Sequence, residues 1–156
     1  MVTTNAMRIL KKAKIEFRTV EYEVDEEHLD GKHVADQTGV PYEQIFKTLV
    51  ARGEKKGIVV FCVQVDKELN LKQAAVLIKD KKIEMISVKD LLPLTGYIRG
   101  GCSPVGMKKS YPVYIDETAE NFEEIYISAG VRGAQIVINP ADLISFLRAE
   151  KIAMSK

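Results

Sequence analysis

The spacing of apolar residues changes period several times along the chain, and each change marks an element. From Thr4, the residues Ala6, Ile9, Leu10 and Ala13 recur at helical spacing, and Thr4 suits the cap of the helix they predict. The stretch IEFRTVEYEV (15–24) then alternates as a half-buried strand. HVADQTGV (33–40) predicts a short helix ended by Gly39, with Pro41 beyond it. Two β-branched runs follow, IFKTLVARG (45–53) and GIVVFCVQV (57–65), joined by EKKG as a hairpin. Asn70 opens a helix carrying Ala74, Ala75, Leu77 and Ile78, IEMIS (83–87) is a short strand, and VKDLLP (88–93) is one helical turn closed by Pro93. YPVYID (111–116), EIYISAG (124–130) and AQIVI (134–138) are further strands, the last two joined by the turn GVRG. Asn139 and Pro140 form an N-cap and first helical position for a last helix running to about Glu150.

Strands outnumber helices without regular alternation, which favours an α+β fold over a doubly wound parallel sheet. With no repeat, linker or low-complexity tract, the expectation is one domain over residues 1–156, built on a curved, mixed and partly barrel-like sheet flanked by helices.

Composition narrows the classes. A hydrophobic fraction of 46% and a charged fraction of 29% are those of a soluble protein, and 156 residues can bury a sizeable core. The first fourteen residues are amphipathic rather than continuously apolar, and no stretch reaches the roughly 20 apolar residues of a membrane span, so the expected location is the cytoplasm. Basic residues number 23 and acidic residues 22, too even a balance for a protein gripping long nucleic acid by phosphate contacts alone. Any RNA is held locally, or with help.

The candidate chemistry is sparse. His28 and His33 share one polar loop, with no converging ligand set for a metal. The motifs GxSxG, HExxH and a Walker loop are absent, and a Ser-His or Cys-His dyad has little support. Cys62 lies mid-strand and reads as a small hydrophobe. Cys102 lies in the glycine-rich stretch TGYIRGGCSPVGMKK beside Arg99, a neighbour expected to lower its pKa, but no general base accompanies it. Lys47 is an odd charge inside an apolar strand. It either snorkels at an edge or presents an ammonium to a pocket, where it can polarise a carbonyl or grip a phosphate. The glycine loop is either a plain connection or a backbone cradle for an anion, and Ser128 is a strand-end hydroxyl beside a tight turn.

Taken in order and spacing, NAMRILKKAKIEFRTVEY, IFKTLV, TGYIRGGCSPVGMKK and IYISAGVRG resemble the YbaK family of free-standing aminoacyl-tRNA deacylases. These are related to the editing domain inserted in bacterial prolyl-tRNA synthetases, and the likeness is greatest to the branch acting on Cys-tRNA(Pro) and Cys-tRNA(Cys). The resemblance implies a crevice for an aminoacylated tRNA end, with the family's essential lysine at Lys47. It places the substrate-binding GxxxP loop at Gly100, Gly101, Cys102, Ser103 and Pro104, the family's tyrosine at Tyr22 and its pocket serine at Ser128. Two positions depart: a phenylalanine of some members has no match around Leu29 and Asp30, and an acidic residue is Gln135 here.

The resemblance also implies a mechanism without metal, cofactor or protein nucleophile. The thiol of a mischarged cysteine attacks its own ester, while Lys47 and loop N–H groups stabilise the oxyanion. The implied partners are the 3′-terminal adenosine and aminoacyl ester of a tRNA, and prolyl-tRNA synthetase as presenter. Two other activities compete with this one: editing of Ala-tRNA(Pro) by activated water, and non-catalytic binding of a nucleic-acid end.

Overall fold

The computed structural model describes residues 3–154; the ends of the expected 1–156 domain lie outside the described residues. Its centre is the expected hairpin. Strands β2 (Phe46–Gly53) and β3 (Gly57–Gln64) pair antiparallel in unbroken register from Phe46–Gln64 to Gly53–Gly57. Because β3 is apolar at almost every position, it buries both faces rather than one. Val59, Phe61 and Val63 pack with Ala51 under helix α3 (Leu71–Leu77), which contributes Ala74 and Ala75. Val60 and Cys62 face the opposite way with Phe46 and Val50, into the largest core.

Around this hairpin the sheet is mixed, in the order β4–β2–β3–β5–β8, with β4 at Ile83–Met85, β5 at Val113–Asp116 and β8 at Glu150–Ile152. β4 and β3 run antiparallel to β2, whereas β5 is parallel to β3 and β8 parallel to β5. A second, antiparallel sheet has the order β1 (Phe17–Glu21), β7 (Ala134–Ile138) and β6 (Ile125–Ser128). Ile125, Ile127, Ala134, Ile136 and Ile138 of this sheet enter the large core, along with Ala6, Met7 and Leu10 of helix α1 (Asn5–Lys12) and Leu143 of helix α5 (Pro140–Leu147). Its other face carries Val20, Tyr126 and Val137 against helix α2 (Gly31–Thr38). The α+β class and the mixed sheet are as expected. Among the described residues the two sheets share one parallel bridge, Ile45–Tyr126, and do not close into a barrel.

Three further differences have local causes. Helix α4 (Val88–Thr95) runs two residues past Pro93, so proline does not close it. The carbonyl that loses its donor belongs to exposed Lys89, and the stop comes at Gly96, whose N–H reaches the Leu92 carbonyl at φ 87°. Helix α2 starts earlier than expected, at Gly31, because the Asp30 side chain accepts from the His33 N–H. Helix α5 stops at Leu147 rather than running to about Glu150, where β8 begins.

That stop belongs to a set. Helices α1, α3 and α5 each end in a left-handed residue that is basic rather than glycine: Lys14 (φ 61°), Lys79 (φ 62°) and Arg148 (φ 53°). In each, the next residue's N–H reaches back five positions, from Ile15 to Leu10, Asp80 to Ala75 and Ala149 to Ile144. This is the paired Schellman closure, with a cation at the negative end of the helix dipole. All three side chains are exposed. Left-handed backbone costs a residue with a Cβ roughly 1–2 kcal/mol, and glycine returns part of that in unfolded-chain entropy. Replacing Lys14, Lys79 and Arg148 together by glycine is therefore expected to raise stability by about 1–2 kcal/mol, read from the urea midpoint. A lowered midpoint would show that the cations' interaction with the helix ends outweighs the backbone strain.

Candidate active site

One cavity of about 470 Å³ opens where the two sheets diverge. Its volume lies within the roughly 300–1,000 Å³ of small-ligand sites, room for a nucleoside-sized group and not for folded RNA.

The first wall is the outer edge of β2. Val65 donates to the Ile45 carbonyl across the hairpin, and Ile86 donates to the Val50 carbonyl from the other side. Peptide groups alternate along a strand, so those of Ile45, Lys47 and Leu49 point to β3 and those of Phe46, Thr48 and Val50 point outward. Among the described residues, outward strand neighbours occur at two places: the bridge of Ile45 to β6, and β4 with Ile86 from Val50 onward. Thr48 lies in the gap, its peptide group facing no strand. Lys47, half-buried, is among the residues that line the cavity here.

The second wall is the α2-facing side of the three-stranded sheet. Gln135 on β7 stands directly opposite Ser128 on β6 and Val20 on β1, and all share the face of Tyr126 and Val137. Tyr22 follows two residues after Val20 and is tied down by its N–H to the Gly133 carbonyl. Tyr22, Ser128 and Gln135 all line the cavity. The Ser128 Oγ accepts from the Gly130 N–H at 3.1 Å and keeps its own proton to donate.

The glycine loop closes a third side. Gly100 and Cys102 lie on the wall; Gly101, Ser103 and Pro104 do not, and are buried behind it. The Ser103 hydroxyl accepts from the Val105 N–H, and the Gly101 N–H donates to the Ile98 carbonyl, whereas the N–H groups of Gly100 and Cys102 have no partner among the described residues. The loop is fixed to the β6–β7 turn by three contacts. The Arg132 Nε donates to the Arg99 carbonyl at 2.8 Å. The Tyr97 ring lies under Gly130 while its hydroxyl donates to the Val105 carbonyl. A Cβ on Gly101 would come within 3.0 Å of the Val131 main chain, so the two backbones touch directly.

The remaining side, Met85 to Val88 and Leu91, leaves Met85 and Val88 exposed at the mouth. Sequence reasoning did not foresee this wall; its trace is the run of apolar residues in a helix too short to bury them all. Of the other expected chemistry, His28 bonds Asp25 and His33 bonds Gln37, their rings stacked at 5.5 Å.

The expectation that Arg99 lowers the Cys102 pKa is reversed. Cys102 is buried, and burial pushes its thiol up to about 12, opposed only by the Thr95 hydroxyl. Cys62, fully buried beside it in the core, is likewise pushed up to about 12. Cys102 therefore lines the cavity as a protonated thiol.

The chain belongs to the aminoacyl-tRNA editing domain family, whose model matches residues 26–146. It is 44% identical over 147 residues to a proposed Cys-tRNA(Pro)/Cys-tRNA(Cys) deacylase, EbsC of Enterococcus faecalis, covering 94% of this chain and 90% of the relative. It is 30% identical over 102 residues to the proline–tRNA ligase of Kosmotoga olearia, covering 65% of this chain and 17% of the ligase. Among solved structures, a proposed trans-editing enzyme for prolyl-tRNA synthetase superposes with a TM-score of 0.84 at 25% identity, covering 100% of this chain and 99% of that one. The family read from the lysine strand and the glycine loop is thus the family matched. No helix among the described residues is long and apolar enough to cross a membrane.

Both thiols are more acidic unfolded than folded. The stability carried by their neutral forms is complete below pH 9.0 and is lost as pH rises toward about 12. At pH 8 the native thiols are expected to react with iodoacetamide about 1,000-fold more slowly than in urea, by mass spectrometry of the alkylated chain. Rapid native labelling of Cys102 would show an activated thiol instead.

Proposed function

We propose that the protein is an aminoacyl-tRNA deacylase that removes cysteine misattached to tRNA(Pro), with Cys-tRNA(Cys) as a second substrate. The observation that carries this reading is the placement of Lys47 on the same cavity as Gly100, in a member of an editing family with a close relative proposed to act on those two esters. The cavity takes the 3′-terminal adenosine and its ester, and the rest of the tRNA stays outside. Prolyl-tRNA synthetase is the partner that presents it, in keeping with the ligases that carry a similar segment.

In the reaction proposed, the thiol of the esterified cysteine attacks its own carbonyl carbon. A sulfur–carbon bond forms, and negative charge gathers on the former carbonyl oxygen. The Lys47 ammonium and the unpartnered N–H groups of Gly100 and Cys102 are the donors suited to it. Collapse breaks the bond to the ribose oxygen, which takes the thiol's proton, and releases a four-membered thiolactone and free tRNA. A buried, protonated Cys102 is compatible with this route, because the nucleophile arrives with the substrate. Alanyl and prolyl esters lack the thiol and survive.

Incubation with Cys-, Ser- and Ala-tRNA(Pro) tests the reading: loss of the cysteinyl ester alone is expected. Loss of the alanyl ester would indicate water activation, and loss of none would leave a binding module. Lys47→Ala is expected to slow cysteinyl release by roughly 100–1,000-fold, the effect of deleting one oxyanion donor. Cys102→Ala is expected to keep most of the rate; an inactive, folded Cys102→Ala protein would overturn the substrate-thiol route.

A further inference from the structure

The chain as a whole is almost neutral, but its charges are not evenly spread. The segments EKKG (54–57) and KDKK (79–82) hold five lysines, Lys55, Lys56, Lys79, Lys81 and Lys82, against two carboxylates, Glu54 and Asp80. Without these segments the chain's 23 basic and 22 acidic residues become 18 and 20. All five lysines are exposed.

The fold gathers the two segments around one buried carboxylate. Asp80, 8% exposed, accepts from the main-chain N–H groups of Lys55 at 3.0 Å, Lys56 at 2.9 Å and Lys81 at 2.7 Å. The Glu54 N–H donates to the Lys82 carbonyl at 2.9 Å. Gly53 is required beside them, because a Cβ there would collide with the Asp80 carboxylate. The main chain thus engages the negative charge at the centre. Around it, Lys82 pairs with exposed Glu84, and the other four lysines form no ion pair among the described residues. Like charges held this close repel one another, so the arrangement suits an anion that arrives from outside.

We infer that this patch binds the phosphate backbone of base-paired RNA, the stem that adjoins the esterified 3′ end of a tRNA. The inference rests on the aminoacyl-tRNA reading of the cavity, and position carries it. Strand β2 joins the two places: Lys47 stands at the cavity, and the turn with Lys55 lies at the other end, roughly 25 Å away at about 3.3 Å per residue. Strand β4 is a second link, running from Lys82 to Met85, which is exposed at the mouth roughly 10 Å further on. The cavity admits a nucleoside-sized group and no double helix, so an unpaired tail crosses this interval before the duplex begins. Beyond it, closely spaced phosphates meet lysines on two turns, and counterions released from the RNA favour the contact. An acidic protein surface would match the charge, but it has no reason to lie at a tail's length from the cavity.

Two unacylated RNAs test this by fluorescence anisotropy: a tRNA acceptor-stem hairpin with its 3′ tail, and that tail alone. The protein is expected to bind the hairpin roughly tenfold or more tightly than the tail. Combining Lys55→Gln, Lys56→Gln and Lys81→Gln changes side chains only and keeps the N–H groups that hold Asp80. This variant is expected to lose most of the hairpin's advantage, and the slope of log K against log salt is expected to fall by about two to three. Removing the same charge from helix α1, by Arg8→Gln, Lys11→Gln and Lys12→Gln, is expected to leave hairpin binding within about twofold. No hairpin binding, a hairpin held no better than the tail, an unchanged patch variant, or equal losses in both variants would each overturn the proposal. Failure here with cysteinyl-tRNA still cleaved sinks the patch alone; patch-dependent hairpin binding without cleavage of any ester sinks the deacylase reading alone.

Discussion

Burial of β3 on both faces is the constraint from which the rest of the architecture follows. A strand that is apolar at almost every position needs cover above and below. One cover is α3, whose alanines allow close approach; the other is a whole second sheet, with α1 and α5 filling the same core. The second sheet must lie across β2 and β3 without joining their ladder, so it meets them at one bridge and then diverges. The cavity is the space left by that divergence. Its position is a by-product of core packing, and its chemistry comes from the residues that happen to border the gap.

Those bordering residues fall into two kinds. Lys47, Ser128 and Gln135 project from strands whose register is fixed by ladders on at least one side, and Tyr22, just past the end of β1, is held by its N–H to the Gly133 carbonyl, so their side chains start from rigid bases. The glycine loop has no ladder. It gains its shape from the β6–β7 turn, through Arg132, Tyr97 and the main-chain contact at Gly101. Loop and turn are far apart in sequence, yet they are a single structural unit that places Gly100 and Cys102 opposite the sheet wall.

Elements whose signal is carried by their own residues were legible in the sequence. The hairpin runs, the Thr4 and Asn139 caps and the glycine stop of α2 all fall where side-chain periodicity and capping put them. What was not legible depends on partners distant in sequence. β8 has three residues and exists because β5 offers an edge. The end of α5 was hidden because Arg148 stands where glycine usually signals a left-handed stop. Cys102 was misjudged from a neighbour in sequence, Arg99, when burial governs its proton. Lys47 and the loop were recognised as candidates, but their meeting on one cavity needed the fold, as did the gathering of two lysine segments around Asp80.

The contact between Gly101 and Val131 has an implication for how this protein can vary. Most steric conflicts in a core are with a side chain and can be relieved by a smaller residue on the other side. Here the obstacle at 3.0 Å is the carbonyl carbon of Val131, followed by its Cα and the Arg132 nitrogen, atoms common to all twenty amino acids. No substitution at 131 or 132 can make room for a larger residue at 101. Only a small shift of the turn's main chain can, and that turn leads into the strand that carries Gln135. A side chain at 101 therefore needs the main chain of that turn to give by a few tenths of an ångström, an adjustment that a smaller side chain at a neighbouring position does not supply.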